Sequence, residues 1–385
     1  MNGRDKEGQR NRMKQKRTVK ETATVEEAKR GSSTIKIGER LVGEGRPVFI
    51  IAEAGVNHNG SLELAKRLVD AAKDAGADAV KFQTFTAELL VTRSAEQAKY
   101  QAENTKKREP QFQMLKRLEL PPAAYEELAA YAAEKKIIFL STPFSEKDAD
   151  TIESLVPAYK IPSGEITNIP FLRHVAQKEK PVLLSTGMAS IQEVIQAAKA
   201  IRESGNGDIV VLHSTSNYPP SDESMNMRAI TTLQRELRLP IGYSDNGHGT
   251  MDGSGSLAPV IAVTLGACVI EKHFTLDKAM EGPDQRASLS PTELQEMVAA
   301  VRRTERMLGS GEKKCTPEEE VIRAMARKSI ITKRGIKKGE TLAADCLIMK
   351  RPGTGISPTD LPRVLGKKAK RDIPQDTVLK WDDIA

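Results

Sequence analysis

VFIIAEAGVNHNGSLELAKRLVDAAKDAGADAVKFQT, residues 48–84, reads as a complete strand–helix–strand unit. The run 48–55 is apolar and β-branched. The stretch 61–76 carries apolar residues at i, i+3, i+4 and i+7 and stops at glycine, the pattern of an amphipathic helix. AVKFQT (79–84) then starts a second strand. A crossover of this length through a helix joins parallel strands.

The same alternation repeats along the chain. Further strands are expected at 137–143, 158–165, 181–187, 209–216, 241–245 and 268–275, with clear helices at 191–205 and 291–309. Eight strand–helix units in about 260 residues match a (β/α)8 TIM barrel in number and length. A doubly wound open sheet, which more often has five to seven strands, is the alternative. Residues 86–134 form an elaborated connection holding at least one helix, of the kind that shapes the mouth of a site.

At nearly every strand the apolar run ends in polar residues. Glu53, Lys81, Gln83, Ser141, Thr142, Lys160, Ser163 and Glu165 close the first four strands. Ser185, Thr186, His213 to Ser216, Ser244, Asp245, Glu271 and His273 close the others. Capping explains a single hydroxyl at a strand end. Eight strands ending alike point to the C-terminal face of a barrel, where catalytic groups gather.

Hydroxyl-rich exits at Ser163, Ser185 and Ser214 to Ser216 lead towards helix N-termini and suit an oxyanion. Lys81 and Lys160 either supply charge to that anion or cap a core carboxylate. Four of the five histidines (His58, His213, His248, His273) fall at strand exits or just beyond, and His174 on a surface helix. Glu271 and His273, two apart on a strand, share one side. Two imidazoles from the last two strands would form a divalent-metal site, although their spacing alone is a weak signal.

The 385 residues carry 59 Lys+Arg against 52 Asp+Glu, an excess of seven that is unevenly spread. Residues 1–34 hold +5 in a stretch without apolar periodicity and 327–385 hold +7, which leaves −5 between them. A solvated tail is expected at 1–34, a barrel at 35–308, a polar linker at 309–327 and a small β-rich module at 328–385. The β segments of that module are SIITKR (329–334), TLAADCLIMKR (341–351) and KAKRDIPQDTVLK (368–380), and Arg351 sits at a Pro-Gly turn. Aromatics make up only 4% of the chain, against a protein that stacks on bases. There is no bilayer-length apolar run and no apolar signal core, and the three cysteines lack metal spacing. Neither a membrane nor a nucleic acid is expected as partner, and the cytoplasm is the expected compartment.

IAEAGVNHNGSLELA, VKFQTF, FLSTPFS, YKIPSGEITNIPFLRH, LLSTGM, GYSD, IEKHFT, GPD and KRPGTGIS occur in that order. Together they resemble the sialic acid synthase family of N-acetylneuraminate, legionaminate and related nonulosonate synthases, over roughly residues 36–385. The resemblance implies a TIM barrel joined to an antifreeze-like (SAF) domain in a domain-swapped homodimer. The implied reaction condenses phosphoenolpyruvate with an N-acylated hexosamine to give a nine-carbon 2-keto-3-deoxy acid and phosphate. Lys81, Thr142, Lys160, Ser163, Ser185 and Ser244 would then hold phosphoenolpyruvate. Glu53, Tyr218, Asp284 and a partner's Arg351 would contact the sugar, with Gln83 and Glu165 on the floor of the site. His248 and His273 would bind a divalent metal, typically manganese, with magnesium or cobalt as alternatives.

The chain departs from the family after Ser244-Asp245, where Asn246-Gly247-His248-Gly249-Thr250 replaces His-Thr, and at Gln285, where His is expected. N-acetylneuraminate synthase is the first expectation. The alternatives are N,N'-diacetyllegionaminate synthase, a Schiff-base aldolase using Lys160 or Lys81, and a carbohydrate-binding protein.

Overall fold

The computed structural model describes residues 34–247 and 255–385. It opens with a hairpin that the sequence reading left out. Strands β1 (Thr34–Ile37) and β2 (Arg40–Gly43) pair antiparallel around a turn in which Gly38 has φ +57°. Ile35, Ile37 and Val42 point one way and are buried. They pack against Phe49, Ile51, Leu140, Leu183, Val210 and Val269, which come from the barrel strands. The hairpin thus supplies part of the apolar filling inside the barrel. Ile37→Ala is expected to cost about 2–5 kcal/mol, read as a lowered denaturant midpoint, because that filling cannot collapse around a cavity.

The eight expected strands form. They are β3 (Phe49–Gly55), β4 (Ala79–Thr84), β5 (Ile138–Pro143), β6 (Tyr159–Ile161), β7 (Val182–Ser185), β8 (Ile209–Ser214), β9 (Ile241–Asp245) and β10 (Val269–His273). All ladders between them are parallel, and β10 pairs back to β3. β5 and β6 run side by side without a hydrogen-bonded ladder, so the TIM barrel is nearly closed. β6 is shorter than expected because Pro162 cannot donate to a ladder. The 3-10 turn Ser163–Glu165 takes over there.

The barrel helices start where their caps dictate. Ser61 accepts from the Leu64 N–H at the head of Leu62–Asp74. Ser190 with Glu193, and Ser290 with Glu293, form capping boxes for Ile191–Glu203 and Pro291–Leu308. The connection after β4 holds three helices, Ala87–Leu90, Lys99–Thr105 and Gln111–Leu118, ahead of the barrel helix Pro122–Glu134.

The chain divides into two compact units at Gly309/Ser310. The second has its own core of Ile330, Ile336, Leu342, Cys346, Val364 and Leu379. β11 (Ser329–Thr332) pairs antiparallel with β12 (Leu347–Lys350), whereas the third expected β segment makes only isolated bridges such as Ile331 with Val378. The stretch 309–327, expected as a polar linker, contains the helix Pro317–Ala326. Its start is built by a Thr316/Glu319 capping box with proline at the first position. Among the described residues, no helix is long and apolar enough to cross a membrane.

Candidate active site

A cavity of about 500 Å³ opens at the C-terminal ends of the barrel strands. Alternation along β4 turns Lys81 and Gln83 to the same side, and both line it. On β3 the register to β4 shifts between Glu53 and Gly55, so Glu53 stands opposite Lys81 and Gly55 opposite Phe82. Gly55 has φ +53°, and a Cβ there would lie 3.3 Å from Glu53 Oε1 and 3.4 Å from Gln83 Nε2. Register pairing on β3 and alternation along β4 bring Glu53, Lys81 and Gln83 into one cluster.

Two lysine–carboxylate pairs form the floor. Lys81 Nζ lies 2.7 Å from Glu53 Oε2 and donates to Thr142 Oγ1 at 2.7 Å. Gln83 Nε2 donates to Glu53 Oε1 at 3.2 Å. Lys160 Nζ lies 3.4 Å from Glu271 Oε1, which also accepts from Ser244 Oγ at 2.9 Å. Both lysines therefore cap buried carboxylates and line the cavity at once. The capping role is the one the ion pairs show, and both lysines also face the cavity.

Burial pushes the Glu53 carboxyl above its ordinary range, against the pull of Lys81. Burial would raise Glu271 as well, but Lys160 and Lys81 outweigh it and hold that carboxyl down to about 2. Burial lowers Lys160 and raises Asp284. One carboxylate is thus locked as an anion beside another that takes a proton more readily.

Next to the lysines lies a hydroxyl cradle. The Gly187 N–H donates to Ser163 Oγ at 2.9 Å, while Ser185 Oγ is buried without a hydrogen-bond partner among the described residues. Ser214 and Ser216 line the same cavity. A Cβ on Gly187 would fall 2.1 Å from Ser216 Oγ and 2.8 Å from Ser163 Oγ. Gly187→Ala should therefore raise the KM for an anionic substrate by roughly tenfold or more, the cost of displacing two or more oxyanion donors. Steady-state kinetics checks this.

On the opposite side Tyr218, Asp284 and His273 share the cavity wall. The Tyr218 and His273 rings meet edge to face, with centroids 5.7 Å apart. Burial lowers the His273 imidazole, opposed by the nearby Asp284 carboxylate. His273 Nδ1 is buried with no hydrogen-bond partner among the described residues. A free imidazole nitrogen beside carboxylates fits a divalent cation such as Mn2+ in donor chemistry. Among the described residues no group of three or more His, Cys, Asp or Glu is arranged to hold a metal. His248, the other expected ligand, lies outside the described residues.

The remaining histidines are engaged elsewhere. His58 Nδ1 accepts from the Gly60 N–H at 3.0 Å, His213 Nε2 lies 2.8 Å from the Met225 carbonyl, and His174 pairs with Asp150.

Of the expected residues, Glu53, Lys81, Gln83, Thr142, Lys160, Ser163, Ser185, Tyr218, Ser244, His273 and Asp284 converge here. Glu165 does not line the cavity. The turn after Pro162 carries it outward, where its Oε2 accepts from Asn168 Nδ2 at 2.7 Å. Gln285 is buried below, donating to Asn59 Oδ1 at 2.9 Å. Arg351 is exposed at the end of β12 in the second unit. Glu271, noted on its strand but given no role, proves to be the anchor of Lys160 and Ser244. Tyr100 carries no signal in the sequence, because the polar helix Lys99–Thr105 shows no periodicity.

A nearly closed TIM barrel with paired lysines, a hydroxyl cradle and a histidine at its mouth, followed by a small β-rich unit, defines a class of barrel enzyme. Residues 68–313 match the NeuB family and residues 327–385 the SAF domain, and the chain belongs to the NeuB family. It is 46% identical over 359 residues to the N,N'-diacetyllegionaminic acid synthase of Legionella pneumophila, covering 92% of this chain and 99% of that one. It is 43% identical to the protein of the same name from Campylobacter jejuni, covering 87% and 99%. The N-acetylneuraminic acid (sialic acid) synthetase structure from Leptospira borgpetersenii, in complex with citrate, superposes with a TM-score of 0.64. That match has 32% identity and covers 76% of this chain and 96% of that one.

Proposed function

We propose that this nonulosonic acid synthase condenses phosphoenolpyruvate with 2,4-diacetamido-2,4,6-trideoxymannose, giving N,N'-diacetyllegionaminate and phosphate. One observation carries the reading: a floor of two lysines and clustered hydroxyls shares a cavity with an apolar outer wall of Leu90, Val91, Met114, Leu118 and Phe144. The floor suits a small phosphorylated acid. The wall suits the C6 methyl and acetamido methyls of a trideoxy sugar better than a hydroxymethyl group. The higher identity to the two chains named for legionaminic acid supports the same acceptor. N-acetylmannosamine, leading to N-acetylneuraminate, is the competitor that the sequence alone put first.

In this reading Lys81, Lys160, Thr142, Ser163, Ser185 and Ser244 hold phosphoenolpyruvate, and Glu53, Tyr218 and Asp284 orient the acceptor. The alkene carbon of phosphoenolpyruvate bonds to the aldehyde carbon, and positive charge develops at the carbon bearing the phosphate ester. Water adds there, and the tetrahedral carbon expels phosphate by C–O cleavage. Lys81 and Lys160 stabilise the charge gathering on the leaving phosphate. Glu53, raised by burial, is the carboxyl placed to take and return the proton of that water. His273 would supply an imidazole nitrogen to a divalent metal, manganese being expected, and when bound that metal acts as a Lewis acid towards the acceptor's carbonyl. A homodimer in which Arg351 of a second copy contacts the sugar belongs to the same proposal.

The test is phosphate release from phosphoenolpyruvate and Mn2+ with each acceptor in turn. The trideoxy sugar should give the higher kcat/KM. A preference for N-acetylmannosamine would overturn the choice of acceptor, and no release with either would overturn the reaction.

A further inference from the structure

The short helix Lys99–Thr105, part of the connection after β4, is tied across the barrel mouth to the loops after β8 and β10. The ring of Tyr100 stacks on that of Tyr218, with centroids 5.4 Å apart and an interplanar angle of 19°. Asn104 Nδ2 donates to the Pro283 carbonyl at 2.7 Å, one residue before Asp284. Lys107 pairs with Glu281 at 3.2 Å, but both are exposed and the pair adds little. Tyr218 lies in a bend outside any helix or strand. Its ring stacks on that of Tyr100 and meets the His273 imidazole in an edge-to-face contact. Both tyrosines line the cavity with Asp284.

We infer that Tyr100 is a positioning residue for the acceptor sugar: its ring holds Tyr218 in place against His273. The helix that carries it, latched through Asn104, sets the acceptor end of the cavity. The inference rests on the reaction proposed above. Because Tyr100 acts through a stacked ring, its hydroxyl is dispensable. Because Lys81, Lys160, Ser185 and Ser244 stand on the strands themselves and Ser163 on the turn just after β6, the phosphoenolpyruvate end is independent of this helix.

The experiment is steady-state kinetics of the parent, Tyr100→Ala and Tyr100→Phe, with phosphoenolpyruvate and the acceptor each varied against saturating partner. Losing a stacked aromatic pair costs up to about tenfold in the equilibrium it controls. Tyr100→Ala should therefore raise the acceptor KM by up to roughly tenfold and leave the phosphoenolpyruvate KM within about twofold. Tyr100→Phe should match the parent, and Asn104→Ala should move the acceptor KM in the same direction as Tyr100→Ala.

An unchanged acceptor KM, an equal rise in both KM values, or a Tyr100→Phe variant as impaired as Tyr100→Ala would overturn the inference. Protection of Tyr100→Ala against thermal unfolding by phosphoenolpyruvate shows that the variant is folded with its floor intact. Loss of that protection would show a general structural role and count against positioning. The outcome is a ratio of KM values within one enzyme, whereas the proposed reaction fails on the parent alone, by the absence of phosphate release.

Discussion

Lys81→Met is expected to lower kcat/KM for phosphate release by about a hundred- to a thousandfold, the scale of removing a preorganised donor from a transition state. Lys81 is 2% exposed, and its ammonium touches both Glu53 and Thr142. Removing it deletes one of the two cations on the cavity floor and leaves Glu53 buried without its counter-ion. An uncompensated buried charge costs about 3–5 kcal/mol, so the variant should also melt earlier. Adding Glu53→Gln isolates the effect on stability. The double variant should recover much of the stability, since neither charge is then left alone, but none of the activity. Because Glu53 is itself the proposed proton carrier, the double variant reports on stability alone, and a Lys81→Met variant that keeps the kcat/KM of the parent would overturn the role of Lys81 in turnover.

The second large effect is expected at Glu271. Glu271→Gln removes the carboxylate that holds Lys160 and accepts from Ser244. At neutral pH the variant should be less stable than the parent by about 3–5 kcal/mol, measured by denaturant unfolding. The pH dependence follows from the depressed carboxyl. A folded-state value of about 2 against an ordinary 4.5 means that the unfolded chain binds this proton more readily. The stabilising contribution is therefore fully present above about 4.5 and is lost as pH falls towards 2. The gap between variant and parent should narrow over that interval. A constant gap would indicate lost packing rather than lost charge.

Much of the barrel is legible in the sequence, because each strand is a short β-branched run bounded by glycine, proline or aspartate. AVKFQT and IGYSD form strands at their expected limits. β6 could not be bounded the same way, since Pro162 ends the ladder where polar residues continue. The hairpin at Thr34–Gly43 escaped notice because its four-residue strands adjoin a basic stretch that masks their alternation. The polar strand ends announced a site but not its pairing. Lys81 meets Glu53 as its register partner on the adjacent strand, whereas Lys160 on β6 meets Glu271 on β10, a strand that is not its neighbour in the sheet. Glu165 shows the converse, a residue counted with a strand that the backbone had already left.

The central claim is that this floor activates phosphoenolpyruvate for carbon–carbon bond formation with loss of phosphate through its C–O bond. Phosphoenolpyruvate labelled with 18O in the bridging position tests it directly by 31P NMR. With the trideoxy acceptor present, the label should leave entirely with inorganic phosphate, and no phosphate should form without acceptor. Label retained in the organic product, or phosphate released at the same rate with no sugar present, would contradict the account.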